Sequence, residues 1–462
     1  FAKSKADILV VSITADRHIK KGVYRPHVPE RLRAMNLSLF EIVDYVLIDQ
    51  NATPIQNLEK IIPDFYAKGY EYSQAKFANS ATTEELKVLK KIGSKIVFTP
   101  GDIVYSSSKI LNNSLPNLKY EKLNELIKQN KTNFKQIKND LTSLKDVKVH
   151  VIGDTIIDTY TQGKSIGGQT KTPTLSIKIN EEKNYLGGAG IVSRHLKKAG
   201  ANIFYTTIIG KDKLGKFTEK ELKKDQIKHD LIKDESRPTI NKNVVVVENH
   251  RLIKLDKVEN HPISQNIIDR IIKNIKNIKT DIIIFSDFRH GIFNETSIKQ
   301  FIKAVPKNIL KVADSQVASR WGNIIDFKNF DLVTPNEREA RFSTGEQDIS
   351  VQGLIDSIKF KSKSKNIILK LGDRGVLCIN DKKKYFSIDS FTDYVVDPVG
   401  AGDALLSYAS LVYFKTRSLF KSAFIGSVAA ACECEYDGNI PVSKDKIVEK
   451  FTGIEKKLSF KE

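Results

Sequence analysis

DPVGAGDALLSYASLVY, Asp397 to Tyr413, sets a glycine turn directly against an apolar helix. Gly400 and Gly402 let the backbone approach a ligand closely, and the unpaired first amides of the helix form an anion hole suited to a transferring phosphoryl group. Asp403 stands one residue beyond, where its carboxylate can take a proton from an attacking hydroxyl. An Asp at that place also caps a helix, so the spacing needs support from the rest of the chain.

Upstream, TPNEREA follows the apolar strand FDLVT. Asn336 and Glu339 then sit at the carboxyl end of a strand, where polar groups hold Mg2+ through waters; the same letters also make a helix N-cap. KLGDRG puts Lys370, Gly372 and Gly375 in a second glycine turn after a strand, bordering a nucleotide. VKVHVIGDTIID reads as a buried strand running into an acidic loop that carries Asp154 and Asp158. LSIKIN and KNVVVVENHRLIKLD alternate polar with apolar and read as a small separate sheet. Strand and helix alternate again from DIIIFSD through KVADS, FDLVTPN and NIILKLG, which predicts a large α/β domain carrying a β lid.

These segments resemble the ribokinase, or PfkB, carbohydrate kinases. DPVGAGDA matches that family's C-terminal signature, NYLGGAGIVSRHLKKAGA (Asn184 to Ala201) its N-terminal glycine signature, and TPNEREA its Asn-x-x-Glu element, in order over about 315 residues. The resemblance implies ATP and Mg2+ as cofactors, with Asp403 as catalytic base and the amides of Gly400, Ala401 and Gly402 around the γ-phosphoryl. It gives Asn336 and Glu339 to Mg2+ through water, and Asp154, Asp158, Gly187 and Gly188 to the sugar. Close family members read GGAAN where this chain has GGAGI, so Ile191 replaces a substrate-binding amide.

DESRPTINKN, RLIKLDKVE and SDFRHG (Ser286 to Gly291) are similar to the heptose-phosphate kinases that feed lipopolysaccharide synthesis. Arg237, Lys242 and Lys254 are then the expected grip on a substrate phosphate. The family leaves room for a homodimer through the lid.

Residues 7 to 111 alternate strands and helices again and predict a second doubly wound parallel sheet. SITADRHIKKG, RPHVPERLRAM, VDYVLID, PDFYAKGYEY and YSSSKI resemble the cytidylyltransferase-like nucleotidyltransferases, notably those that make ADP-heptose. That resemblance places Asp16, Lys68, Gly69, Ser106, Ser107 and Ser108 around a nucleoside triphosphate. The family's His-x-Gly-His element and first strand have no counterpart here, and the chain begins at Phe1 with Met35 as its one Met. The sequence is therefore expected to be a fragment or processed form whose N-terminal half is inactive. Expected boundaries are 1–111 for the nucleotidyltransferase, 112–145 for a helical connector with an apolar stripe, and 146–462 for the kinase.

Hydrophobic residues at 40% and charged ones at 28% suit a soluble globular protein. No apolar run approaches the ~18 residues of a membrane span, and nothing reads as a signal peptide, so a cytoplasmic location is expected. The formal charge of +20 comes from 61 Lys against 14 Arg spread along the chain, unlike the clustered, Arg-rich surfaces that read nucleic acid. Cys378, Cys432 and Cys434 provide neither a disulfide framework nor a zinc site. The expected activity is phosphorylation of a sugar or sugar phosphate, foremost a heptose 7-phosphate, fused to a nucleotidyltransferase. Two alternatives stand beside it: a kinase of the same family for another surface-glycan sugar, and a scaffold protein whose kinase fold has lost catalysis.

Overall fold

The computed structural model of the chain describes residues 2–19, 28–69, 80–99, 118–166, 175–248, 250–317, 324–436 and 438–459. The chain divides between residues 116 and 117 into two compact units.

In the N-terminal unit β1 (Val10–Thr14) pairs in parallel with β2 (Tyr45–Asp49), and β3 (Phe65–Gly69) with β4 (Lys95–Thr99). Helices Glu30–Ser38, Ile55–Ile61 and Ser80–Ile92 alternate with them as the sequence predicts. Among the described residues these strands form two separate parallel pairs instead of one sheet.

The C-terminal unit is built on β5 (Lys148–Gly153), β8 (Asn202–Ile209), β9 (Lys228–Lys233), β12 (Ile282–Asp287), β13 (Leu310–Ser315), β14 (Leu332–Val333), β15 (Asn366–Lys370), β16 (Val376–Ile379) and β17 (Tyr385–Ile388). They form one nine-stranded sheet in the order β17-β16-β15-β14-β13-β12-β5-β8-β9, parallel from β15 to β9. All six residues of β12, IIIFSD, are buried, as expected of a parallel strand covered on both faces. One helical layer holds Ala401–Thr416 and Leu419–Cys434, packed in a core with Leu196 and Phe451. The opposite layer packs Gln265–Asn277, Glu295–Ala304 and Val351–Ser362 around Phe285, Phe301, Phe327 and Phe330. Strand order turns at β5, which sends β8 to one side and β12 to the other, and ligands of open α/β sheets bind outside the carboxyl ends of strands at such a point.

The lid is a second sheet made of β6 (Thr155–Ser165), β7 (Ile177–Gly188), β10 (Ile240–Val247) and β11 (His250–Lys257), in the order β11-β10-β6-β7. The acidic loop expected after β5 is a single residue, Asp154, from which the chain enters the eleven-residue β6. Polar side chains further along β6 are satisfied across the sheet. Thr159 Oγ1 donates to Asn184 at 2.6 Å and Thr161 Oγ1 to Asn243 at 2.9 Å. Every residue of the edge strand β11 is exposed.

Two helices within the stretch expected as a connector, Leu118–Gln129 and Phe134–Thr142, pack on the C-terminal unit. Asn133 caps the second by accepting from the Gln136 amide, and Tyr120, Leu123, Ile127, Ile137 and Leu141 join the core around Phe424. Leu141 is fully buried there. Leu141→Ala should therefore lower the unfolding free energy of the C-terminal unit by about 2–5 kcal/mol, read as a reduced midpoint in urea denaturation; an unchanged midpoint would mean that this helix contributes no core.

Candidate active site

A cavity of about 780 Å³ opens between the carboxyl ends of the core strands and the lid, lined by Asp158, Lys242, Asn336, Lys370, Gly400 and Asp403 among others. Its size is that of an ordinary small-molecule site.

The floor of the cavity is the DPVGAGD turn. Gly400 has φ +87°, and a Cβ there would lie 2.4 Å from Asn439 Oδ1 and 3.0 Å from Glu433 Oε1, so both backbone conformation and space require glycine. The helix Ala401–Thr416 starts immediately after it with Asp403 in its first turn. The Asp403 amide turns back to the Gly400 carbonyl at 3.0 Å, and the Ala401 amide makes only a long 3.4 Å contact with Pro398.

Asp403 is buried and its Oδ1 has no hydrogen-bond partner. Burial, reinforced by the Asp314 carboxylate and opposed by Lys370, pushes its pKa up to about 8. Lys370 reaches both oxygens of Asp314 at 3.1 Å, and Thr334 Oγ1 donates to Asp314 at 3.0 Å. Burial alone would lower the Lys370 pKa, but Asp314 and Glu339 outweigh it and keep the ammonium charged. A Cβ on Gly402 would come within 3.2 Å of Lys370 Nζ, which places that charge against the glycine turn.

Asn336 lies beside Lys370 through a parallel bridge that prolongs the β14–β15 pairing. It caps helix Glu337–Thr344 in a reciprocal box: its side chain accepts from the Glu339 amide at 2.8 Å, while its own amide and Nδ2 donate to Glu339 at 2.6 Å each. Glu339 is buried, which raises its pKa to about 8. Gly372 and Gly375 line the same end of the cavity.

The lid supplies the opposite wall. Asp158 accepts from Asn439 Nδ2 at 2.6 Å, and burial raises its pKa to about 6. Gly187 is the close-approach glycine of this wall, since a Cβ on it would lie 2.1 Å from Asp158 Oδ2; Gly188 lines the cavity. Lys242 and Lys254 line it as well, and burial, with Lys254 as a like-charged neighbour, holds the Lys242 pKa below its usual value.

Two expected substrate residues, Asp154 and Arg237, lie outside the cavity lining, as does Ile191, which stands where the family has an amide. Asp154 is buried and accepts from the amides of Phe288 at 2.9 Å and His290 at 3.3 Å, so it fastens the FRHG loop. Arg237 is buried against Asp234 at 2.8 Å and donates to the carbonyls of His290 and His261 at 3.0 Å, away from the cavity lining. Its guanidinium is used in holding loops together, so a grip on a substrate phosphate does not follow from this position. Ile191 is fully buried in helix Ala189–Lys198 and does not line the cavity.

In the N-terminal unit Asp16 and Glu30 cap each other, with Asp16 accepting from the Glu30 amide at 3.0 Å and Glu30 from the Asp16 amide at 2.7 Å. Asp16 also pairs with Arg33. Lys68, next to Gly69 at the end of β3, forms an ion pair with Glu85. Ser106, Ser107 and Ser108 lie outside the described residues.

Residues 146–446 match the pfkB family carbohydrate kinase profile, which is more than half of the chain. The chain belongs to the pfkB family of carbohydrate kinases. It is 27% identical over 322 residues to the bifunctional protein HldE of Campylobacter jejuni strain RM1221, covering 68% of this chain and 67% of that protein. It is 26% identical over 318 residues to the HldE of Sulfurimonas denitrificans, covering 68% and 66%. The chain thus spans about two thirds of the length of these relatives. Its fold is shared with phosphofructokinase-2 of Escherichia coli solved with substrates and products (TM-score 0.57, 17% identity, 67% of this chain and 100% of that one). Arabidopsis thaliana ribokinase complexed with ribose and ATP is similar in fold too (TM-score 0.54, 17% identity, 66% and 99%).

Several residues that shape this carbohydrate kinase site escaped the reading of the sequence. Asp314 is the penultimate residue of β13, and KVADS carries no glycine turn to advertise it. Asn439 sits in an irregular loop with no periodic signal. Glu433 did carry one, a lone acid in the otherwise apolar stretch FIGSVAAACEC. It is buried with both carboxylate oxygens unpartnered, and burial followed by Asp403 pushes its pKa up to about 8.

A carboxyl whose pKa is raised on folding leaves the folded chain holding more protons than the unfolded chain between the two values. Its stabilising effect is complete below the unfolded pKa near 4.5 and is lost as pH climbs towards about 8. Glu433→Gln should accordingly shrink the drop in melting temperature between pH 6 and pH 8, measured by thermal denaturation of the two proteins at both pH values. An identical drop would show that Glu433 is already ionised in the fold.

Proposed function

We propose that the C-terminal unit transfers the γ-phosphoryl of ATP to a hydroxyl of a sugar that already carries a phosphate, a heptose 7-phosphate, in the synthesis of activated heptose. The observation that carries this reading is one cavity with a buried Asp403 carboxyl, its Oδ1 without a hydrogen-bond partner, at a glycine anion turn on its floor and two ammonium groups, Lys242 and Lys254, on its lid wall. Likeness to the bifunctional HldE proteins supports the heptose choice. The N-terminal unit, on the motifs it shares with cytidylyltransferase-like enzymes, is proposed as the partner nucleotidyltransferase.

Asp403 takes the proton of the attacking hydroxyl as the oxygen closes on phosphorus. The Gly400–Gly402 amides, the positive end of the helix Ala401–Thr416 and the Lys370 ammonium face the charge that spreads over the transferring group, where fixed dipoles in a water-poor site act most strongly. Both oxygens of Glu339 already accept from Asn336, so these two residues would meet Mg2+ through bound water. When bound, the ion neutralises charge on the phosphates. Lys242 and Lys254 hold the phosphate of the acceptor in ground and transition states alike.

A general base commonly supplies 10²- to 10⁴-fold, so Asp403→Asn should cut kcat by on the order of 10²-fold or more while ATP affinity stays put; near wild-type turnover would reject the mechanism. Because Asp403 must lose its proton to act, turnover should rise with pH on an acid limb displaced from the usual Asp range towards about 8. The limb's midpoint reflects Asp403 together with the buried Glu339 carboxyl of the same site. A limb centred near pH 4 would contradict the buried-carboxyl account.

The acceptor is tested by ADP release across sugars and sugar phosphates with ATP and Mg2+. A seven-carbon sugar phosphate should outperform its unphosphorylated counterpart, and Lys254→Ala should raise the acceptor KM more than it lowers kcat, as uniform binding contacts do. Equal or faster turnover of an unphosphorylated hexose or pentose would leave only the general sugar-kinase assignment.

A further inference from the structure

The first residue of the catalytic turn, Asp397, is buried, and its two carboxylate oxygens do different things. Oδ1 accepts from the Val399 amide at 3.2 Å and so braces its own turn. Oδ2 faces the lid: Tyr160 Oη from β6 and Arg251 Nη2 from β11 each donate to it at 3.0 Å. The Arg251 guanidinium also stands over the Tyr160 ring at 5.9 Å, and the Tyr160 ring meets Tyr185 of β7 edge-on at 5.7 Å. Tyr160 and Arg251 both line the cavity, and the side chain of Arg251 is half exposed on an otherwise open edge strand.

The amides of Val396 and Asp397 are tied from behind to the Cys434 carbonyl at 2.8 and 3.3 Å. The turn is therefore clamped between the core and the lid, and among the described residues the one charge that answers the buried Asp397 carboxylate is Arg251 of the lid. A buried carboxylate stripped of its charged partner is costly, so lid position and turn geometry cannot vary independently.

We propose that Asp397 is a positioning residue through which the lid sets the phosphoryl-transfer turn. With the lid down, Arg251 and Tyr160 hold the carboxylate so that its other oxygen fixes the Val399 amide and, through it, the run Gly400 to Asp403. With the lid raised, the clasp opens and the turn loses that constraint. Closure over the acceptor thereby completes the anion hole, a coupling that goes beyond the family's activity and rests on the kinase assignment but not on the identity of the sugar.

The test needs no acceptor in its first arm. Hydrogen exchange of the 396–403 backbone is compared in the full chain, with ATP and Mg2+, for the wild type, Arg251→Ala, Arg251→Lys and Tyr160→Phe. Arg251→Ala should speed exchange at this segment at least ten-fold, Tyr160→Phe less, and Arg251→Lys should restore part of the protection. Unchanged exchange in Arg251→Ala and Tyr160→Phe would overturn the proposal.

The second arm separates action through Asp397 from direct contact with substrate. With heptose 7-phosphate as acceptor, Arg251→Ala and Asp397→Asn should each lower kcat about ten-fold with the ATP KM within two-fold, and the double variant should be no worse than Asp397→Asn alone. Full additivity would mean that Arg251 acts on the acceptor and not on the turn, and would also overturn the proposal. If the wild type fails to turn over heptose 7-phosphate, the acceptor assignment falls while the exchange arm still decides the clasp.

Discussion

A buried ammonium, Lys370, stands among the carboxyl groups that the parallel sheet delivers to its carboxyl edge. Asp287 ends β12, Asp314 lies one residue from the end of β13, Glu339 follows β14, and Asp403 enters from the facing helix. Among the described residues Asp314 alone touches Lys370 and Asp287 pairs with Arg289 at 3.1 Å, so the remaining acids cannot all ionise in so dry a place. Several of them hold protons well above the usual carboxylate range, Asp287 to about 7 and Asp403 and Glu339 to about 8. The chemistry of the site follows from this imbalance: an acid poised near neutrality can pass a proton, and a pocket with one fixed cation beside the glycine turn is set to receive phosphate charge.

Much of the architecture was legible in the residues because local and global signals agree. DIIIFSD has the apolar run of a strand covered on both faces, the glycine turn before ALLSYASLVY has φ that only glycine adopts readily, and TPNEREA folds as the capping box its letters spell. The lid was partly hidden. The letters after Gly153 read as an acidic loop because Asp154 and Asp158 are charged, and it is pairing with β7 and β10 that makes a strand of them. Likewise the leucines after Leu118 announce an amphipathic helix, but no local pattern says which unit it covers.

The placement of the site was legible where its residues share one stretch of chain, as at Gly400 to Asp403, Asn336 and Glu339, which line one cavity. It was not legible where long-range contacts choose a side chain's orientation. Arg237 looked like a phosphate ligand because it is a base at the foot of the lid, yet Asp234 and two loop carbonyls take its guanidinium. Asp154 is claimed by the amides of Phe288 and His290. Asp397, Asn439 and Glu433 meet around the turn from separated segments, and nothing in the spacing of their letters foretells that meeting.

The lid is not one insertion but two hairpin-like pieces, β6–β7 and β10–β11, separated in the chain by β8, β9 and the helices Ala189–Lys198 and Lys213–Lys224 of the core. The parallel seam between β6 and β10 is what makes one sheet of them. A lid of this kind cannot be exchanged between enzymes as a single cassette. Transplanting the acceptor preference of one such kinase to another would require two grafts matched at that seam, and a graft of either piece alone would leave a row of backbone donors and acceptors without their strand.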